Sequence, residues 1–167
     1  MQLTRAADYA VRVMIQLASL PPGTRVQRNQ LAESTGVPES FMSKVLQALV
    51  RARLISSRRG LDGGFELMVS SDQVSLLDVV EAIEGPVQLN FCLGSGEGCE
   101  RQRTCAAHFV WAEAQAAMVS VLKKATIQKL AQQTQAAQCL AGRREVMSPM
   151  PVANGATAAI SQLMRPE

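Results

Sequence analysis

Gly36 and Pro38 interrupt a stretch that is otherwise helical in pattern, and this break limits the possible folds more than any other feature of the chain. Before it, residues 28–35 read as a short helix with Leu31 and Ala32 turned inward and Gly36 in the C-terminal capping position. After it, Pro38 suits the first turn of a second helix running to about Arg51. The spacing predicts an inner face of Phe41, Val45, Leu46 and Leu49 and an outer face of Ser40, Ser43, Lys44, Gln47 and Arg51. Helix, short glycine-containing break and helix is the geometry of a helix-turn-helix, and hydroxyls, an amide and cations can meet phosphates and base edges. An unrelated helical hairpin would show much the same pattern, so the flanking segments carry the decision.

Two short strands are expected next, Leu54–Ser57 and Phe65–Met68, around Arg58-Arg59-Gly60-Leu61-Asp62-Gly63-Gly64. The glycines allow the positive φ angles of a tight hairpin, and two arginines stand at its tip. A basic hairpin directly after a candidate recognition helix is the wing of a winged helix, with its arginines aimed at a minor groove. It is not a phosphate loop, because no Gly-Lys-Ser/Thr follows. Ahead of the break, Ala7, Ala10, Val11, Met14, Ile15 and Ala18 form the stripe of a first helix over residues 4–20, with Thr4 as N-cap and Pro21-Pro22-Gly23 as the stop. Ser75 and Asp78 open a fourth helix lined by Leu76, Val79, Val80 and Ile83 and ended by Gly85-Pro86. A long helix from Cys105 to about Lys124 follows, and Thr126 caps a short last one ending near Gln133. The long helix offers Val110, Ala114, Ala117, Val121 and Leu122 with no core of its own to face, so pairing with a second copy is expected. Residues 143–167 lack a period and read as a flexible tail.

Charge follows the same division. Residues 1–60 hold nine Lys/Arg against three Asp/Glu, and residues 61–105 hold two against eight. A basic N-terminal third followed by an acidic middle suits a DNA-facing module joined to something else. No apolar run reaches the roughly 18 residues of a membrane span, and Asp8 and Arg12 interrupt the apolar N-terminus, so neither a transmembrane segment nor a signal peptide is expected. The expected location is the cytoplasm, where cysteines serve as metal ligands or reactive thiols more than as disulfides.

Three of the four cysteines lie close together. Cys92, Cys99 and Cys105 are followed by His108, the single histidine, and Gly94, Gly96 and Gly98 would let the loop fold around an ion. Cys105 and His108 share one face at the start of the long helix. Three thiolates and an imidazole suit zinc or an iron–sulfur cluster. The gaps are wider than the paired knuckle of structural zinc sites, which favours the cluster. Cys139 stands apart and reads as a free thiol. With one histidine and no Ser/His/Asp arrangement, the chain is not expected to be an enzyme.

Taken together, LTRAADYAVRVMIQLA, VPESFMSKVLQALVRARLISSRRGLDGGFEL, SLLDVVEAIEGP and the three cysteines ahead of a long helix resemble the Rrf2 family of bacterial transcription factors over about residues 1–135. The resemblance implies a mainly α fold: a winged helix-turn-helix DNA-binding domain with a two-stranded wing over 1–86, a cysteine-rich cluster-binding loop over 87–105, a dimerisation helix and short final helix over 106–135, and a tail over 136–167. It implies a homodimeric regulator, in the first instance a repressor, on palindromic double-stranded DNA. Its operator affinity would answer to a [2Fe–2S] or [4Fe–4S] cluster sensing nitric oxide, redox state or iron supply. By position, Ser40, Ser43 and Lys44 would face bases and Arg59 would enter a minor groove, with Arg28, Gln47, Arg58 and Gly60 completing the DNA-binding set. Cys92, Cys99 and Cys105 would hold the cluster; His108 matches the fourth ligand of IscR-like members, and Asp8 the carboxylate of NsrR-like ones, His108 being preferred. A regulator of the same fold with thiol sensing or zinc is the alternative, and a small iron–sulfur electron or cluster carrier a more distant one.

Overall fold

A computed structural model describes residues 3–60, 63–94 and 99–146, with side chains described as far as 140. Six helices and one small sheet follow in the order α1 (Arg5–Ala18), α2 (Arg28–Thr35), α3 (Glu39–Arg51), β1 (Ile55–Arg58), β2 (Gly64–Leu67), α4 (Leu76–Glu84), α5 (Ala106–Lys124) and α6 (Ile127–Val146). A single 3₁₀ turn, Phe91–Leu93, lies between α4 and α5. The chain divides into two units, one ending at Gln135 and one beginning at Ala136.

Local chemistry sets the helix ends. The Thr4 hydroxyl accepts the Ala7 N–H at the start of α1, and Gly36 ends α2 at φ 65°, in the left-handed region. At α4, Ser75 and Asp78 form a reciprocal capping box: the Ser75 hydroxyl accepts the Asp78 N–H, and the Asp78 carboxylate accepts the Ser75 N–H at 2.8 Å. Between β1 and β2 the register is antiparallel, from Ile55↔Leu67 to Arg58↔Gly64. Val26 adds a bridge to Phe65, with N–H···O bonds of 3.0 and 2.9 Å in the two directions. Gly64 is required there, because a Cβ would lie 2.8 Å from the Val26 carbonyl oxygen.

The core gathers Met14 from α1, Leu31 from α2, Met42, Leu46 and Leu49 from α3, Ile55 from β1, Val79 from α4 and Ile127 from α6. A backbone clamp closes it: Leu76 N–H donates to Ala125 O at 2.8 Å, and Ile127 N–H to Val74 O at 2.9 Å. The chain thus leaves through the segment after α4 and returns along α5 to deliver Ile127 and Ala131 into the core begun by α1. A smaller apolar cluster joins Leu77, Val80 and Val87 to Met118, Val119 and Leu122 of α5.

Four expectations need correction. In α3 the buried residue is Met42, while Phe41 is 39% exposed and rests edge-on against Tyr9. In α1 the fully buried stripe is Ala7, Ala10, Val13, Met14 and Leu17, so Val13 and Leu17 belong to the core and Val11, Ile15 and Ala18 flank it. The long helix does have something to face, since Met118, Val119 and Leu122 pack on α4. Finally, α6 extends to Val146 instead of ending near Gln133, because its Ala/Gln-rich sequence contains no stop. The expected tail beyond residue 146, like Leu61, Asp62, Gly96 and Gly98, lies outside the described residues.

These burials predict a contrast. Leu49→Ala, at a fully buried site, should cost about 2–5 kcal/mol of unfolding free energy, whereas Phe41→Ala should cost clearly less. Urea titrations followed by circular dichroism compare the two directly.

Candidate DNA-reading face and cysteine centre

On α3, Ser40, Lys44 and Gln47 are exposed, and Ser43 is half-buried. Ser43 is not free: its hydroxyl accepts from Arg28 Nη1 at 3.0 Å, while Arg28 Nη2 lies 3.3 Å from Glu39. Arg28, the first residue of α2, therefore ties the two helices together and offsets an acidic residue at the start of α3. Glu39 suits the helix N-terminus electrostatically, and its pairing with Arg28 adds it to this face. Phe41 was also missed, since its type suggested core. A signal for Glu39 existed, one turn before Ser43, but its pairing with Arg28 joins residues on different helices.

Arg58, Arg59 and Gly60 are exposed at the wing. Its base is braced by Glu66 on β2, which accepts from Arg25 Nη2 at 3.0 Å and from the Ser56 hydroxyl at 3.1 Å. The Arg25 hydrogen bond, helped by Ser56 and by the charges of Arg25 and Arg58 against a smaller opposing desolvation, holds the Glu66 carboxyl below the usual carboxylate range. The ionised form thus favours the folded state. That contribution is present above about pH 4.5 and fades as pH falls through the lower folded value. Replacing Glu66 with Gln should consequently leave a stability gap to wild type at neutral pH that narrows in acid, as thermal melts across the range would record.

The cysteine region is built on α5. Cys105 is its N-cap, half-buried, with its N–H bonded to Arg101 O at 2.8 Å, and His108 N–H donates to Cys105 O at 3.0 Å. Cys99 is exposed and begins the preceding turn, its carbonyl accepting from Gln102 N–H at 2.9 Å. Cys92 lies half-buried in the 3₁₀ turn, which packs on α5, and Leu89 N–H donates to Gln115 Oε1 on α5 at 2.9 Å. Among the described residues, no three His, Cys, Asp or Glu side chains stand close enough together to hold a metal ion. Cys105 and His108 are brought onto one helical turn, while Cys92 and Cys99 enter from segments separated by residues outside the description. Nδ1 of His108 is buried without a hydrogen-bond partner among the described residues, and it is the buried side-chain atom there that lacks one. Such an atom costs about 1–3 kcal/mol unless something meets it. By donor type, three unbridged thiols and an imidazole with an unmet buried nitrogen fit an iron–sulfur centre, while the described side chains are not gathered at one point. Asp8 is occupied differently: its carboxylate lies 2.7 Å from Arg12 one turn along α1, and Arg12 in turn lies over the Tyr9 ring. Cys139 is exposed on α6.

Helix-turn-helix, basic hairpin and a following long helix define a winged-helix regulator. The chain belongs to the Rrf2 family: the family model described as an iron-dependent transcriptional regulator matches residues 3–133. A Mycobacterium tuberculosis protein named as an HTH-type transcriptional regulator is 37% identical over 131 residues, covering 78% of this chain and 81% of its own. Two solved structures share the fold at lower identity. The global cysteine regulator CymR of B. subtilis has a TM-score of 0.65 at 23% identity over 80% of this chain and 98% of its own. The IscR of T. potens has a TM-score of 0.60 at 21% identity over 90% and 93%. Among the described residues, no helix is long and apolar enough to cross a membrane.

Proposed function

We propose that this transcriptional regulator works as a cytoplasmic homodimer, as a repressor, and that an iron–sulfur cluster held by Cys92, Cys99, Cys105 and His108 controls its affinity for a palindromic operator. The observation that carries this reading is that α5 combines two features. Its first turn bears Cys105 and His108 with the unmet ring nitrogen, and its outward side leaves Val110 and Val121 64% and 68% exposed. Apolar exposure of that kind along one helix suits a partner's identical helix. When bound, a cluster supplies a redox- and nitric-oxide-sensitive group at the start of the dimer helix.

The chain's own contacts offer a route from there to DNA. Met118, Val119 and Leu122 bear on α4, α4 lies along α1, and Glu84 at the end of α4 accepts the Thr4 N–H at 3.0 Å. Tyr9 of α1 meets Phe41 of α3 with ring centres 5.4 Å apart. Ser40, Ser43, Lys44 and Gln47 are assigned to the major groove, and Arg58, Arg59 and Gly60 to the neighbouring minor groove, with Arg28 holding Ser43 in place. Paired wings and recognition helices one turn apart would read a two-fold site.

The alternative is a regulator of this family that senses through its thiols or holds zinc. It draws support from the three cysteine side chains not being gathered with His108 among the described residues. Iron, sulfide and zinc analysis of protein purified without oxygen separates the two, and the absence of iron would favour the thiol reading. The decisive experiment selects an operator from random DNA and compares loaded with metal-free dimer; equal affinity would end the cluster-control proposal, since a ligand shifts an equilibrium only through differential affinity. Arg59→Ala should weaken operator binding by about 10–100-fold, corresponding to roughly 1–3 kcal/mol for a good groove contact. Cys99→Ala, at an exposed position, should remove the cluster and leave fold and dimer intact. A charge at Val121, as in Val121→Glu, should yield a folded monomer in sedimentation experiments.

A further inference from the structure

We propose that Gln102 is a positioning residue whose side-chain amide holds the His108 ring in its Nε2–H tautomer, so that the buried Nδ1 is the metal-ligating atom. This rests on the cluster reading given above.

The two ring nitrogens of His108 have opposite surroundings. Nδ1 is buried and unmet among the described residues, whereas Nε2 lies 3.5 Å from the Gln102 amide nitrogen, at the long end of hydrogen-bond range. A neutral imidazole carries one proton, and its position follows from which way the amide points. With the amide nitrogen toward the ring, Gln102 would donate to Nε2 and the proton would sit on Nδ1 as a buried donor lacking an acceptor. Turning the amide about its last torsion puts Oε1 in the same place, an exchange that heavy-atom positions do not distinguish. Nε2–H then donates to Oε1, and Nδ1 is left as a bare lone pair suited to a metal. Metal-bound histidines commonly donate their second ring N–H to such a partner, which fixes tautomer and ring orientation.

The location of Gln102 fits this task. Its backbone N–H bonds to Cys99 O, and its neighbour Arg101 accepts from Cys105 N–H. The turn that spaces two of the cysteines therefore also carries the amide to the ring. Phe109 stands edge-on at 5.8 Å on another side of the imidazole.

Because the chain contains one histidine, ring-¹⁵N labelling reports on His108 alone. The full chain would be studied metal-free, and again after anaerobic loading with ferrous iron and sulfide. With the ring neutral, the metal-free protein should show a protonated Nε2 and an unprotonated Nδ1. Gln102→Leu should lose that preference, while Gln102→Glu, which keeps an acceptor oxygen, should retain it. In loaded, reduced protein, hyperfine coupling should arise from Nδ1, and Gln102→Leu should lower retention of iron by about 10–100-fold. A proton on Nδ1 in wild type, or a Gln102→Leu spectrum identical to wild type, overturns the positioning role. Failure to take up iron with the Gln102-dependent tautomer still present would instead overturn the ligand assignment and the cluster reading together. Gln102 is exposed, so neither variant threatens the fold, and circular dichroism checks this.

Discussion

The pairing of residues 74–76 with 125–127 is the constraint on which the rest of the structure depends. Two short backbone hydrogen bonds bring the end of α5 back beside the start of α4 and seat Ile127 in the core. Once that return is fixed, the segment after α4 must carry the chain outward and α5 must run back to the start of α4. Its 19 residues then put its first turn about 28 Å from the clamp. The cysteine segment at the start of α5 is thereby held away from the clamp, and the packing of α5 on α4 joins that arm to the winged domain. The apolar contacts of Leu77, Val80 and Val87 with α5 keep this arm on the domain over the half nearest the clamp.

The candidate DNA-reading face is less uniformly basic than its residue count suggests. Glu39 and Glu66 both lie on it or under it, and each is met by an arginine from a neighbouring element, Arg28 and Arg25 respectively. Exposed pairs of this kind contribute little to stability, typically about 0–1 kcal/mol. Their value is in orientation. Arg28 is held against Ser43, and the wing's base is joined through Arg25, Glu66 and Ser56 to the segment before α2. Hairpin and α3 are thus each tied to the stretch around α2, through Arg25 and Arg28 respectively.

Much of this was legible in the residues, for reasons that are local. Thr4, Gly36, Pro38 and the Ser75/Asp78 pair mark helix ends through bonds made within four residues, and the expected boundaries agree closely with the observed ones. The glycines and arginines of the wing were equally readable. Burial was harder, because it depends on what packs against a helix. Phe41 and Met42 both suit a core by type, and only the position of Tyr9 decides that the ring stays at the edge. Likewise, the periodicity of α5 did not reveal that Met118 and Val119 meet α4 while Val121 does not. Arg28 and Glu39 are eleven positions apart and on different helices, so no spacing rule joins them. The cysteines suggest a ligand set by type and proximity in sequence, but sequence proximity does not bring side chains to a common point.

The position of Ile127 has a consequence for synthesis. The residue that fills the winged domain's core comes after the cysteine segment, beyond the last of the candidate ligands. A chain still emerging from the ribosome cannot complete the core of its winged domain until the cysteine segment has already been made. Truncated products ending before α6 would lack a fully buried isoleucine and the clamp that seats it. Order of translation thus disfavours a folded winged domain that lacks the cysteine segment.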